Sequence, residues 1–488
     1  MPHNYVQYNS PQFRLLSDSQ LEELHLATLQ VLERAGVAFT DCPEALEILG
    51  EAGADISNPD RVKIPSYLVE QALRAAPKAI TLYTRDGDCA MVLNGTGPHF
   101  GAVAASQDHL DPYTRKRRPT YVDDIADVTR VVDALPNLEF QWTSSAHGTI
   151  PGSIADKVAV FQALTNTTKP VGYCLNDAES LREIIEVCSI IAGSEDQFRK
   201  KPFLIGSSEP VTPLTQDKDA VGKSLLCAEK GIPNIVYGFQ MAGATTPTTW
   251  PGELVIASAE VLGQLVVIQL KKPGAPVLFG GMPSIMDMST TIGSYGAPEL
   301  AVNIAALTEL CHYYKLPMLG TAGCTEAETI GAQTAAEVTY QIMLAGLSGA
   351  DFVHDVGLMY HCTTISPELM VLCDELIDMV KVLTDRMEIN EETLPLDLIE
   401  RLGPRGTYIS EKHTLKHFRK FWSPKLFDRS VIKTEESKNC EDLVNEKTIK
   451  ILETHQPKPL PEDVLKELGK IEARWLKQVG LKEYPKRK

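Results

Sequence analysis

The stretch that decides the fold is Pro276 to Thr321, PVLFGGMPSIMDMSTTIGSYGAPELAVNIAALTELCHYYKLPMLGT. It opens with the apolar run Val277-Leu-Phe-Gly280, continues into a helical pattern over residues 296–313, and returns to an apolar run at Pro317-Met-Leu-Gly-Thr321. Short uninterrupted apolar runs are typical of strands that are buried on both faces of a parallel sheet. The stretch therefore predicts one strand, a crossover helix and a second, parallel strand.

The same unit recurs along the chain. Eight short apolar runs begin at His99, Leu138, Pro170, Pro202, Asn234, Pro276, Pro317 and Asp351. Helical patterns follow them at about 121–134, 154–166, 177–193, 217–229, 253–271, 296–313, 331–347 and 367–384. Parallel strands need crossover connections, and eight such strands close well into a barrel. The sequence thus predicts an α/β fold, a (β/α)8 TIM barrel, with a doubly wound open sheet as the alternative.

The barrel is expected to carry an extension at each end. Residues 1–97 read as N-terminal helices and a β-hairpin, residues 98–390 as the barrel, and residues 391–488 as a C-terminal helical extension that wraps the barrel or a second subunit. Ser17 and Gln20 have the spacing of a capping box, and Thr120 is expected to cap the helix over 121–134.

Composition narrows the class of function. The formal net charge of −17 argues against a nucleic-acid partner, because phosphate binding needs a basic face. The apolar runs contain glutamine or charged residues, so we expect no membrane span. The first residues lack the basic start and apolar middle of a signal peptide, which indicates the cytoplasm. The ten cysteines have no regular spacing, and we expect reduced thiols.

The reactive side chains of a TIM barrel come from the carboxyl ends of its strands and the loops behind them. Aromatic and acidic residues dominate these positions and suit a quaternary ammonium ion, which cannot donate hydrogen bonds. For any single ring, the alternative is that it only fills the top layer of the barrel. The predicted substrate-binding residues are Phe100, Tyr173, Glu209, Tyr237, Phe239, Gln240, Phe279, Glu326, Phe352, His354 and Tyr360.

Other chemistries find less support at the strand ends. No lysine stands there for a Schiff base. The turn at Gly320 and Gly323 could cradle a phosphate, but Glu326 and Glu328 would repel it. No metal is expected, because the candidate ligands have no close pair of the CxxC kind, although a zinc site among them stays an alternative. Those candidate ligands are Cys174, Cys324, Cys362, His147, His354 and His361.

Several motifs in one order resemble the trimethylamine methyltransferase family. They are Gly97 to Phe140, SSEPVTPL at Ser207 to Leu214, FGGMPS at Phe279 to Ser284, GTAGCTEAETIGAQ at Gly320 to Gln333, and HQPKPLPEDVLKEL at His455 to Leu468. The resemblance implies a (β/α)8 barrel that passes a methyl group from a methylated amine to the Co(I) centre of a separate corrinoid protein. It implies that this chain binds no cofactor itself and that the cobalamin arrives on the partner protein. We also expect a homo-oligomer.

The loop from Gly320 to Gln333 refines the expected substrate. Archaeal trimethylamine enzymes of the family carry pyrrolysine in or near this loop, whereas it holds only standard residues here and no lysine. The chain is thus similar to the non-pyrrolysine branch, which implies glycine betaine as the substrate, with proline betaine, carnitine or γ-butyrobetaine as alternatives. Glu326 is expected to contact the ligand, and His354 or Gln240 to donate to its carboxylate.

The expected reaction needs no covalent catalyst from the chain. A quaternary nitrogen leaves as a neutral amine, so the site has only to align one methyl group with cobalt and to exclude water. Two alternatives remain open, a zinc-dependent methyltransferase that activates a thiol and a non-catalytic betaine-binding protein with an aromatic cage.

Overall fold

A computed structural model describes residues 13–144, 148–384, 387–429 and 438–487. Its centre is a closed barrel of eight parallel strands, each paired with its neighbours in chain order. The strands are β1 (His99–Val103), β2 (Phe140–Thr143), β3 (Val171–Tyr173), β4 (Leu204–Ser208), β5 (Asn234–Val236), β6 (Val277–Gly280), β7 (Met318–Thr321) and β8 (Phe352–Val356). The barrel closes where β8 pairs with β1, and the predicted fold is confirmed.

A helix follows each barrel strand, within two residues of the predicted bounds in seven cases and three residues earlier at the start of one. The helices are α1 (Val122–Ala134), α2 (Gly152–Asn166), α3 (Ala178–Ala192), α4 (Lys218–Lys230), α5 (Trp250–Lys271), α6 (Pro298–Tyr314), α7 (Ala332–Ser348) and α8 (Pro367–Thr384).

Helix α5 is the one described helix that is long and apolar enough to cross a membrane, and 83% of its most apolar window is buried inside the fold. It carries Glu253, Glu260 and Gln264, which are all buried and hydrogen-bonded to neighbouring parts of the chain. These partners give α5 the environment of a core helix in a barrel.

The N-terminal extension packs beside the barrel. It comprises helices at Asp18–Gln30, Val31–Ala35, Pro43–Glu51 and Ser66–Ala75, a short strand at Ala38–Thr40, and a hairpin of Ile80–Tyr83 with Cys89–Leu93. The hairpin and the Ser17–Gln20 capping box agree with the sequence prediction. Helix α1, in contrast, begins after Tyr121, and the hydroxyl of Thr120 has no hydrogen-bond partner among the described residues, so the predicted Thr120 cap is wrong.

The C-terminal extension contains helices at Leu396–Leu402, Lys412–His417, Cys440–Thr454 and Glu462–Gln478. Cys440–Thr454 packs against α8 and α1, and Glu462–Gln478 packs against α3. Of the two places predicted for this tail, the structure shows the first, around its own barrel.

Further short strands follow the barrel strands along the chain. They are Asp108–Leu110, Arg117–Pro119, Thr215–Asp217, Phe239–Ala242, Met282–Ile285, Leu358–Met359 and Thr364–Ile365. Phe239–Ala242 pairs with Met282–Ile285, which continues the β5 and β6 pair above the barrel. The loops that carry chemistry are therefore held by their own small sheets.

Side chains on the strands alternate between the barrel interior and the helix layer. Inside, the rings of Phe140 and Phe352 stack with centroids 3.5 Å apart. Glycine makes room for these rings, because a Cβ atom at Gly101 would lie 2.3 Å from Phe140 and one at Gly172 would lie 2.3 Å from Trp142. Aromatic side chains from β2 and β8 thus occupy part of the interior.

Candidate functional site

His354 lies at the carboxyl end of β8 and is 1% exposed. Its ring stacks on Trp142 of β2, with centroids 5.0 Å apart and planes 15° apart, and meets Tyr237 edge-on at 5.8 Å. Its Nε2 atom lies 3.4 Å from the hydroxyl of Thr321 at the end of β7. Residues from four different barrel strands or their ends therefore meet around one imidazole, as the barrel rule predicts.

The backbone next to His354 is unusual. Asp355 has φ of 78°, a left-handed conformation that costs energy for a residue with a side chain. The pairing of β8 with β1 slips between Val353 and Val356, which marks a β-bulge. The bulge brings Asp355 Oδ1 to 2.5 Å from His354 Nδ1, yet that nitrogen has no well-formed hydrogen bond within the described part of the chain. A left-handed residue beside a buried histidine and carboxylate pair at a strand end is a candidate ligand position.

Tyr237 forms the opposite wall with Glu209 and Cys174. The Tyr237 hydroxyl donates to Glu209 Oε1 at 2.7 Å and lies 3.4 Å from the Cys174 thiol. Burial raises the pKa of Cys174 and that of Tyr237 well above their ordinary values, so both groups are neutral at physiological pH. Glu209 is exposed at the mouth, and the wall therefore presents a carboxylate to solvent above neutral, buried groups.

A second layer of loops lies above this wall. Phe239 stacks on Tyr295 with centroids 5.1 Å apart. Glu326 accepts hydrogen bonds from the Ser294 hydroxyl at 2.6 Å and from the backbone N–H of Tyr295 at 3.0 Å, and His361 Nδ1 lies 3.7 Å away. Glu326 therefore fixes the loop that carries Tyr295, and its side chain keeps a quarter of its surface exposed.

Tyr360 already has a cation on its ring. The guanidinium carbon of Arg117 lies 4.5 Å from the ring centroid. Tyr360, His361 and Cys362 follow one another in the left-handed region, with φ of 48°, 52° and 59°. Tyr360 is consequently a fixed part of the mouth whose ring face binds the protein's own arginine.

Three predicted aromatic residues face the helix layer, which corrects their assignment to the mouth. The Tyr173 hydroxyl lies 3.7 Å from the Cys227 thiol of α4, and the Phe279 ring lies 5.7 Å from that of Tyr314 on α6. Phe100 pairs in register with Val353, whose side chain alternates with that of inward-facing His354. All three lie one position out of phase with the residues that point inward.

Two more of the predicted substrate-binding residues make contacts away from the barrel mouth. The Gln240 amide donates to Glu260 Oε2 at 2.7 Å in a fully buried position, so it does not reach the mouth as a donor to a substrate carboxylate. Phe352 lies inside the barrel beneath the mouth, where it stacks on Phe140. Of the predicted set, Tyr237, Glu209 and His354 thus meet at the mouth, with Phe239, Glu326 and Tyr360 in the loops above.

The sequence prediction missed Trp142, the largest ring at the mouth. Phe140 and Trp142 are two residues apart on β2, and such residues share one face of a strand. Counting alternation along Leu138-Glu-Phe-Gln-Trp142 would have found it. Ser207 belongs to the same mouth, where its buried hydroxyl lies beside the Cys174 thiol.

The candidate zinc ligands that the structure describes do not form a three-ligand set at the barrel mouth. Among the side chains that the structure describes, those of Cys174, Cys324, Cys362 and His354 do not place three ligand atoms within 4.8 Å of one another. His147 lies outside the described residues.

Comparison with known proteins places this barrel among its relatives. The family model described as trimethylamine methyltransferase (MTTB) matches residues 1–480. The chain is 33% identical to trimethylamine methyltransferase MttB of Desulfitobacterium hafniense over 93% of its own length and 92% of that protein. It is 29% identical to a glycine betaine methyltransferase of the same species, over 96% and 98% of the two chains.

Among solved structures, the chain resembles the monomethylamine methyltransferase MtmB of Methanosarcina barkeri. The TM-score is 0.52 at 13% identity, over 92% of this chain and 90% of that one. At this identity the likeness shows the barrel fold.

Proposed function

Because the chain belongs to the trimethylamine methyltransferase family, we propose that it moves a methyl group from a quaternary amine to the Co(I) centre of a separate corrinoid protein. Glycine betaine is the proposed methyl donor, and dimethylglycine the product. The glycine betaine methyltransferase is 29% identical and the trimethylamine methyltransferase 33%, so overall identity does not choose between their substrates, and the pyrrolysine-free loop from Gly320 to Gln333 supports betaine.

The proposed reaction is a nucleophilic displacement at carbon. The Co(I) electron pair forms the new bond to the methyl carbon, the C–N bond breaks, and its electron pair stays on nitrogen, which leaves as a neutral tertiary amine. No proton is taken up or released. The chain contributes orientation and exclusion of water, both of which lower the barrier without a catalytic acid or base.

The observation that carries the proposal is the Glu209 and Tyr237 wall. A carboxylate at the mouth attracts a cation, and the hydrogen bond from Tyr237 at 2.7 Å holds this carboxylate in one place. The rings of Trp142 and Tyr237 meet edge-on with centroids 6.3 Å apart beneath this carboxylate, and aromatic groups in a desolvated site favour quaternary ammonium groups over ions that need hydrogen-bond acceptors.

The opposite end of a betaine is a carboxylate, which needs donors. His354 is buried at the mouth with its Nε2 in only a long contact, 3.4 Å, with the Thr321 hydroxyl, and the Ser207 hydroxyl is buried beside the Cys174 thiol. These two side chains are the proposed donors, in place of Gln240. Buried polar groups whose own partners are long or weak gain most when a ligand offers a charged acceptor.

A panel of methylated amines tests the proposal. The chain is incubated with a reduced corrinoid protein and each amine, and conversion of Co(I) to methyl-Co(III) is followed by absorbance. We expect turnover with glycine betaine. Turnover of trimethylamine with none of any betaine would contradict the substrate, and binding of betaine without methyl transfer to any corrinoid protein would favour a betaine-binding protein.

A further inference from the structure

Two histidines and a glutamate meet in the C-terminal extension, far along the chain from the barrel mouth. His413 and His417 lie four residues apart on the helix Lys412–His417, so they share one face of it. Their ring centroids are 4.4 Å apart. His417 Nε2 lies 2.9 Å from Glu392 Oε1, and one ligand atom from each of Glu392, His413 and His417 lies within 4.8 Å of the others.

We propose that Glu392, His413 and His417 bind one Zn²⁺ ion. Imidazole nitrogen and carboxylate oxygen are ordinary Zn²⁺ ligands with bonds of roughly 2.0–2.2 Å, and two histidines with one glutamate leave a fourth position for water. Tetrahedral bonds of that length separate the ligand atoms by about 3.4 Å, so small side-chain rotations suffice to close the set around an ion.

The segment that carries these residues has no core of its own. From Met387 to Lys425 none of the described residues is buried. Large apolar side chains lie open to solvent, among them Met387 at 82%, Ile409 at 84% and Phe421 at 76% exposure. Small units that cannot bury enough apolar surface are commonly held by a metal ion. An ion shared by Glu392 and the helix Lys412–His417 would join the two ends of this segment.

Lys416 provides the competing interpretation. Its ammonium lies 2.7 Å from Glu392 Oε1, so the cluster could be only an ion-pair network. The Lys416 side chain is 63% exposed and can turn into solvent when a metal ion takes its place. Exposed ion pairs contribute little to stability, whereas a bound ion would anchor the segment. The two interpretations therefore predict different effects of removing Lys416.

Metal stoichiometry and protease resistance test the proposal. The full chain, purified with a tag that lacks histidine and stripped with a chelator, is incubated with Zn²⁺, desalted and measured by elemental analysis. We expect about one more Zn²⁺ per chain in the wild type than in His413→Ala or His417→Ala. Lys416→Ala is the matched control and should keep the ion. Loss of a ligand should weaken Zn²⁺ binding by more than the roughly 10- to 100-fold that loss of an outer-shell partner causes.

Limited proteolysis gives the second measurement. Zn²⁺ should slow cleavage within residues 387–429 of the wild type and of Lys416→Ala, and should not slow it in the two histidine variants. Equal Zn²⁺ content in the wild type and the His413→Ala, His417→Ala double variant would assign the metal to other groups, such as the cysteines, and overturn the proposal. Loss of Zn²⁺ in Lys416→Ala would overturn it as well.

Discussion

At the scale of single residues, His354 at the barrel mouth combines burial, a neighbour in the left-handed region and an Nε2 atom whose contact with the Thr321 hydroxyl is long, at 3.4 Å. If it donates to the substrate carboxylate, His354→Ala should lower kcat/KM for glycine betaine. The loss should correspond to a free-energy barrier higher by about 1.5–3 kcal/mol, the usual value of a hydrogen bond to a charged group. Tetramethylammonium has no carboxylate and serves as the control substrate. Equal losses on both compounds would show that His354 acts by supporting Trp142.

Replacement of Glu209 should weaken binding of both substrates, whereas replacement of His354 should affect only the one with a carboxylate. Glu209→Gln keeps the shape of the side chain and removes the charge that faces the cation, so both glycine betaine and tetramethylammonium should bind more weakly by about 1 kcal/mol, or roughly fivefold. Glu328→Gln, which removes an exposed carboxylate from the loop after β7, is the matched control and should leave KM unchanged. A loss confined to betaine, or the same change in both variants, would contradict a cation subsite at Glu209.

The sequence identified Tyr237, Glu209 and His354 as candidates because each follows a recognisable strand. It did not separate them from Tyr173 and Phe279, whose residue types suit a ligand equally well. The difference is one position of strand alternation, and a one-residue change of phase moves a side chain to the other face. Glu326 shows a further limit, since its role depends on Ser294 and Tyr295, which come from a different loop.

At the scale of elements, helix α5 holds two buried carboxyl groups. Burial raises the pKa of Glu253 to about 8 and that of Glu260 to about 7, from an ordinary value of 4.5. The folded chain therefore binds these protons more tightly than the unfolded chain does. Both groups favour the folded state at a pH below about 4.5, and this contribution is lost as pH rises through about 7 to 8.

Glu253→Gln should accordingly flatten the pH dependence of stability. Asn303 donates to Glu253 Oε2 at 2.9 Å, and a glutamine oxygen can accept the same bond without a charge. The denaturation midpoint of the wild type should fall between about pH 5 and pH 8, and that of Glu253→Gln should fall less. Glu328→Gln, at an exposed position, should follow the wild type. A steeper fall in Glu253→Gln would show that the charged form is the one that the fold stabilises.

Local patterns predicted elements well where the signal lies within the element. The Ser17–Gln20 capping box depends on residues three apart, and the structure has it. The Thr120 cap failed because Asp124 accepts instead from the backbone N–H of Tyr121 and from Arg118, a residue of the preceding strand. Tertiary pairing of an acidic residue in the first turn thus shifted the start of the helix.

At the scale of the whole molecule, the repeated strand and helix pattern was sufficient to predict the closed barrel, since topology follows from the number and order of parallel strands. The position of the tail could not be predicted in the same way. Its helices are amphipathic. This pattern predicts that one face of each helix is buried, but it does not identify the element that covers the face. In the structure the last tail helix inserts Trp475, which is fully buried, between α2 and α3.

Trp475 therefore offers a test of whether the tail is part of the folded unit. Its ring meets Phe161 of α2 edge-on at 5.7 Å, its indole N–H donates to Glu183 of α3, and Lys157 Nζ lies 5.5 Å from the ring centroid. Trp475→Ala should lower the free energy of unfolding by about 3–5 kcal/mol, as expected when a large buried ring leaves a cavity. The exposed Trp250→Ala is the control and should change it by less than about 1 kcal/mol. If denaturant titrations gave the same midpoint for both variants, the tail would be a separate unit attached to a barrel that is stable without it.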